Sequence, residues 1–313
     1  MKMIPTDFFS FTEIGGVGEM IYKAVRFPDY LPEYDYTSEQ NVMVPVFIGG
    51  HRVSADTDYS ITGQGLLSSL CNLYQKINDP QSHEPVVNLI WDWCRNNIQP
   101  YNIIELCKEL ETRDYLDIAS DSHLKQLATF ALEDFISDLC KLGSVFEYYY
   151  ALQRIKYYHE AHIGRELYYE GRCRDSVPLL EKYRQYTDDD EYIRNVVNDY
   201  DERISEVMDM FPAFRLRLMR NSKTGKIEMG AEIDSVFDIA WYAFARMVAY
   251  VAPPADTDLN YMYSQGSILT CMACGEYFVR HSSNQRYCDN PNCQAERNNR
   301  KARAYYLKKK SKQ

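Results

Sequence analysis

The sequence predicts a helix-rich α+β body with two β-hairpins, followed by a small four-cysteine module. Three observations predict this. Apolar residues recur at helical spacing over long stretches, as in Leu124, Leu127, Ala128, Ala131, Phe135, Leu139 and Leu142, which is the stripe of a helix with one buried face. Two short stretches are instead rich in β-branched or alternating residues around turn formers. Finally, Cys271, Cys274, Cys288 and Cys293 crowd into 23 residues near the end. With 313 residues and 45% hydrophobic content the chain can bury one large core or two ordinary ones.

The first forty residues, interrupted by Pro28 and Pro32, predict only short pieces of structure. Val42 to Ile48 reads as a strand that turns at Gly49-Gly50 and resumes at His51-Arg52-Val53, and Pro45 places it at a sheet edge. Helices follow over Leu66–Ile77, over Val86–Ile98 behind Pro85, over Asn102–Glu111, and over Ser122–Leu142, where Gly143 supplies a stop. Phe146 to Tyr186 is dense in tyrosine, including Tyr148-Tyr149-Tyr150, and suits helix packing or the lining of a pocket or subunit interface. Asp188 opens a further helix to about Phe211, its acids placed at the positive end of the helix dipole. Phe214–Leu218 and Ile227–Met229 form the second hairpin. An apolar helix over Val236–Val251 starts at an Asp234 or Ser235 cap and ends before Pro253-Pro254. Three parts are expected: an acidic body over 1–252, a linker over 253–264 and the cysteine module over 265–313.

Charge is unevenly divided. From Cys271 onward there are 10 Lys and Arg against 3 Asp and Glu, a net of +7, while the preceding 270 residues hold 25 against 42, a net of −17. An acidic body with a basic end points to a polyanion partner, the alternative being a tail docked on its own body. The first twenty residues lack the apolar run of a secretory leader, and even Val236–Val251 carries Asp238 and Arg246, so a cytoplasmic protein without a membrane partner is expected. Cytoplasmic cysteines are reduced or metal-bound. Cys71, Cys94, Cys107, Cys140 and Cys173 stand singly among apolar residues and read as core packing.

The remaining four have the spacing Cys-x2-Cys-x13-Cys-x4-Cys. Two thiolate pairs from tight turns are expected to supply the four tetrahedral ligands of one structural zinc ion, the alternatives being an iron-sulfur cluster or a redox pair. Gly275 follows the first pair where a turn needs an unhindered backbone, and Asn290-Pro291 bend the second. Tyr277-Phe278 begin a strand, and Cys293 lies at the start of a closing helix, a treble-clef-like plan. So few large apolar residues cannot hold the module alone, whereas zinc supplies about 10–16 kcal/mol in finger peptides. A complete thiolate shell leaves no open position for water, which argues against hydrolysis at the metal. His281 reads as a solvated loop histidine. The closing helix carries Arg297, Asn299, Arg300, Lys301, Arg303 and Lys308. Its basic side can follow phosphates, and an asparagine or arginine can reach base edges. Ala295, Ala302 and Tyr306 are expected to face the module.

Cys271-x2-Cys274, Phe278, Ser283-Asn284, Arg286-Tyr287-Cys288, Cys293 and Asn299 to Tyr305 resemble the zinc finger of the CGNR family, regarded as bacterial stress-induced transcription regulators. The resemblance covers about forty residues and continues weakly upstream at Phe47 to Gly50. It implies a DNA-binding regulator whose body senses a small-molecule or protein ligand or forms a homodimer. The alternative is a non-catalytic protein-interaction adaptor, of stress or phage-related function, that uses the zinc module as a clip for an acidic partner. No metal-binding His-Glu pair, phosphate loop or nucleophile elbow is present, and Gly63-Gln64-Gly65 lacks the rest of a dinucleotide fingerprint. No catalytic residue is assigned, and an enzyme is not expected.

Overall fold

The structure is a computed structural model that describes residues 9–14, 17–23, 27, 29–45, 60–103, 105–106, 122–160, 203–214, 216–220, 227–231, 233–251, 268–282 and 285–310. It is an α+β chain of helices and small antiparallel sheets with the cysteine group at its C-terminal end. In order the elements are β1 (Phe9–Ile14), β2 (Val17–Lys23), β3 (Tyr30–Asp35), β4 (Gln40–Pro45), β5 (Ser60–Thr62), α1 (Gly63–Ile77), α2 (Val86–Asn96), α3 (Ser122–Ala128), β6 (Phe130–Ala131) and α4 (Leu132–Glu160). They continue with β7 (Leu216–Arg220), β8 (Ile227–Ala231), α5 (Val236–Val251), β9 (Ile268–Thr270), β10 (Tyr277–Val279) and α6 (Pro291–Lys310).

The N-terminal region is more ordered than expected. β1 and β2 pair antiparallel from Phe9↔Tyr22 to Ile14↔Val17, and β2 takes β5 on its other side. Gly15-Gly16 between two β-rich runs is a hairpin signal. The strand at Val42 pairs with the upstream β3, from Tyr30↔Pro45 to Asp35↔Gln40, and its expected partner at His51–Val53 lies outside the described residues. The turn between β3 and β4 is held by Asp35, whose carboxylate accepts from the Thr37 N–H at 2.9 Å and the Ser38 hydroxyl at 2.8 Å. Such an Asx turn competes well with regular structure. Nor is β4 an edge strand, because the sheet order is β3-β4-β6. β6 reaches only Val42 and Met43, so Pro45 sits beyond that ladder and costs no hydrogen bond there.

The helix expected over Ser122–Leu142 is two helices. It breaks at Thr129 so that Phe130-Ala131 can pair with β4, and α4 then runs straight through Gly143. Gly143 is therefore a contact rather than a stop: a Cβ there would lie 2.2 Å from Cγ of Tyr74 on α1. Mid-helix glycine, unfavourable by about 1 kcal/mol relative to alanine, is offset by the close approach of two helices. Other elements agree with the sequence reading: α1 and α2 near their expected spans, the hairpin β7–β8, and α5 over Val236–Val251. Ser235 caps α5 reciprocally with Asp238, its Oγ accepting from the Asp238 N–H at 3.1 Å while Oδ2 of Asp238 accepts from the Ser235 N–H at 2.9 Å. The helix expected at Asn102–Glu111, the tyrosines beyond Glu160 and the linker 253–264 lie wholly or mostly outside the described residues.

α1 is central. Its Leu66, Leu67, Leu70 and Cys71 are fully buried, and α2, α4, α5 and β10 pack around it. Cys94 is likewise buried in this core, as small hydrophobic cysteines are. Phe146 and Tyr149 of α4 meet Phe244 of α5 edge-on at 5.3 and 5.2 Å between centroids. No described helix is long and apolar enough to cross a membrane.

Candidate metal centre and basic helix

The hairpin β9–β10 divides its side chains between two apolar clusters. The strands pair Tyr277↔Thr270, Phe278↔Leu269 and Val279↔Ile268, and successive strand residues point to opposite faces. Ile268 and Tyr277 join the main core, with Val279 against it, whereas Leu269 and Phe278 cluster with Cys271 and Cys293. One short hairpin thus seats the cysteine module on the body.

Polar contacts fix that seat. The Asn72 side chain on α1 donates Nδ2 to the Tyr277 carbonyl at 2.9 Å and accepts from the Tyr277 N–H at 2.6 Å, imitating a neighbouring strand. Ser68 Oγ donates to the same carbonyl at 2.9 Å. The Thr270 N–H donates to the Tyr150 hydroxyl at 2.9 Å, and the rings of Phe146 and Tyr150 each meet Tyr277 edge-on at 5.2 Å. Lys76 pairs with Glu276 at 3.0 Å at the rim. Within Tyr148-Tyr149-Tyr150, Tyr148 bonds to Glu206 and Arg203, Tyr149 packs against Phe244 in the body, and Tyr150 reaches the module.

Beyond β9 the chain turns through Cys271-Met272-Ala273-Cys274. The turn is closed by Gly275 N–H to Cys271 O at 2.9 Å and Cys271 N–H to Glu276 O at 2.8 Å. Gly275 has φ +81°, where only glycine is unstrained. The second pair comes from Cys288 in a loop and Cys293 in the first turn of α6. Asn290 caps this helix, its Oδ1 accepting from the Asn292 N–H at 2.9 Å, and Pro291 takes the first helical position. Gln294 ties helix to loop by donating to the Cys288 carbonyl at 2.7 Å.

All four sulfurs lie within 4.8 Å of one another. Zinc bonded to sulfur at about 2.3 Å in a tetrahedron has edges of about 3.8 Å, and the Cys274 and Cys288 sulfurs are 3.8 Å apart. The arrangement fits a four-coordinate metal ion. Cys271 and Cys293 are buried, Cys274 is exposed and Cys288 intermediate, so the group opens to solvent on one side. Burial by itself raises the Cys271 thiol, but backbone N–H groups of Cys274, Cys288 and Ala273 outweigh it and bring the thiol down to about 7. The Cys288 and Ala273 amides point at its sulfur at 3.3 and 3.5 Å. Burial pushes Cys274 up to about 11 and raises Cys288 as well, helped in both by neighbouring cysteines. His281 is not in the group; it is exposed, 3.5 Å from Asp289.

α6 separates the six cations and amides singled out from the sequence. Arg297 donates to Gln294 Oε1 at 3.1 Å, and Arg300 pairs with Glu296 at 2.8 Å, so both are engaged near the root of the helix. Asn299, between them, is exposed, as are Lys301, Arg303, Lys309 and Lys310 further out, whereas the side chain of Lys308 lies outside the described residues. Ala295, Ala302 and Tyr306 do not face the module as expected: all three are exposed, and it is Cys293 that the helix buries against Leu269 and Phe278. Arg280, one of the ten C-terminal cations, is 1% exposed and donates Nε to the Ser282 carbonyl at 3.1 Å, so it belongs to the scaffold. Asn72, Ser68 and the scaffold role of Arg280 were not marked by sequence reasoning, whereas Tyr150 lies in the tyrosine run that was; the available signal was a polar Asn72 within an otherwise apolar helical stripe. Comparison with family models, with curated proteins and with solved structures found no match.

Proposed function

We propose that this protein is a cytoplasmic, DNA-binding regulator in which a structural zinc ion held by Cys271, Cys274, Cys288 and Cys293 fixes a basic helix for contact with nucleic acid. The observation that carries the reading is the placement of α6. Its first turn supplies Cys293 to the sulfur group, while Asn299, Lys301, Arg303, Lys309 and Lys310 lie exposed on the part that extends past it. α6 holds 7 Lys and Arg against one Glu, and such a rod follows a phosphate backbone while exposed amides reach base edges. The resemblance of the cysteine and arginine pattern to the CGNR zinc finger supports the same role. Four thiolates close the metal's coordination, so the ion organises structure and no catalytic step is assigned to it.

The test is fluorescence anisotropy of the zinc-loaded full chain with a mixed-sequence DNA duplex across a salt series, beside the variant K301Q/R303Q/K309Q/K310Q. Four phosphate contacts give a log-log slope of about −3.6, which the variant largely loses. Absence of binding at low salt refutes the reading. These substitutions spare the docked hairpin, whereas cutting the chain before β9 would strip Ile268 and Tyr277 from the body's core.

A further inference from the structure

We propose that the outer end of α6 is a stacking platform for unpaired bases, so that its ligand is a single-stranded nucleic acid or an unpaired stretch within one; this rests on the nucleic-acid reading above. Tyr305, Tyr306 and Leu307 are 66, 69 and 70% exposed, three large side chains in succession on the most basic part of the chain. A solvated helix tip calls only for small or charged residues there, and exposed aromatic rings among cations are the composition of single-strand binders.

The order along the helix is specific. Residues four apart lie on one face, about 6 Å along the axis. Lys301 and Lys309 therefore bracket Tyr305, while Arg303 and Lys310, three before and four after, bracket Tyr306. All four cations are exposed. Each ring thus has a positive charge on either side along the helix, matching a ligand whose planar groups alternate with anionic ones. The two rings stand at 73° to each other with centroids 6.1 Å apart, so neither covers the other. A duplex keeps its base faces stacked and offers only phosphates and groove edges, which would leave both rings unused. Charge settles the ligand class against an apolar protein groove: α6 carries 7 Lys and Arg and one Glu. DNA and RNA strands share the required chemistry, a π face and a phosphate per residue.

The experiment uses the zinc-loaded full chain with short labelled oligonucleotides of one mixed sequence, as single-stranded DNA, single-stranded RNA and blunt DNA duplex, at fixed salt. Both single strands, or the preferred one of them, should bind at least about tenfold more tightly than the duplex. Y305A/Y306A should weaken single-strand binding by roughly tenfold or more per ring while leaving duplex affinity within about twofold, and Y305F/Y306F should restore it because the ring, not the hydroxyl, stacks. Duplex binding equal to single-strand binding, with Y305A/Y306A silent, overturns the platform and leaves the nucleic-acid reading standing. Failure of all three probes to bind at low salt overturns both. Because the rings are exposed at a helix end, alanine there preserves the fold, which far-UV circular dichroism of each variant verifies.

Discussion

Asn72→Ala tests how firmly the metal module is built into the body. The Asn72 amide meets the Tyr277 backbone twice, at 2.9 and 2.6 Å. Alanine removes both bonds. The Tyr277 carbonyl keeps the Ser68 hydroxyl at 2.9 Å, but the N–H of this 6%-exposed residue loses the acceptor it points to. Two net hydrogen bonds at about 1 kcal/mol each, with part of the desolvation penalty of a buried amide, come to about 2–3 kcal/mol. Ser68→Ala alone should cost about 1 kcal/mol, since Asn72 still serves the carbonyl. The double variant should lose more than the sum, because only then does the carbonyl lose both donors. The assay is urea unfolding of the zinc-loaded chain, with the rate of zinc transfer to a coloured chelator measured alongside, which should rise in N72A. An N72A chain within about 0.5 kcal/mol of the parent would refute the docking argument, since that is the range of substitutions that touch nothing.

Gly143→Ala should destabilise by about 1–3 kcal/mol or more in the same unfolding assay, because its Cβ would sit 2.2 Å from the Tyr74 ring; a neutral or stabilising result would contradict the close approach of α1 and α4. Ser235→Ala should cost about 1 kcal/mol by removing the cap of α5, and an unchanged midpoint would count against it. Metal affinity should rise steeply with pH. Near pH 8 Cys271, lowered to about 7, is already a thiolate, whereas Cys274, near 11, and Cys288, also raised, must each release a proton to bind. Affinity should then climb at least about a hundredfold per pH unit around pH 8, and more steeply below pH 7 where Cys271 also protonates. Competition titrations with a chelator of known affinity measure this, and a flat profile would contradict it.

The cysteine group was legible because metal ligation leaves its spacing in the sequence: the two turns, Gly275 at positive φ and Cys293 at the head of a helix all follow from local chemistry. The helices with strong apolar periods and no competing partner, α1, α2 and α5, were legible for the same reason. What could not be read was decided by distant partners. Phe130-Ala131 interrupts a good helical stripe because β4 offers a ladder, and β4 itself is joined to β3 through the Asp35 turn. Gly143 looks like a terminator and is a contact for Tyr74. The seating of the module is equally non-local, since Asn72 and Tyr277 are 205 residues apart. On α6 the helical period identified the basic side, but only the structure separates Arg297 and Arg300, engaged with Gln294 and Glu296, from the exposed cations further out.

The proposed function depends on a closed four-sulfur zinc centre organising the hairpin and α6. Zinc-edge X-ray absorption on the stoichiometrically loaded full chain tests this directly. Four sulfur neighbours at about 2.3 Å and no nitrogen or oxygen in the shell are the result it requires. A mixed shell that takes in a histidine or water, or a chain that retains less than one zinc ion after gel filtration, would contradict it.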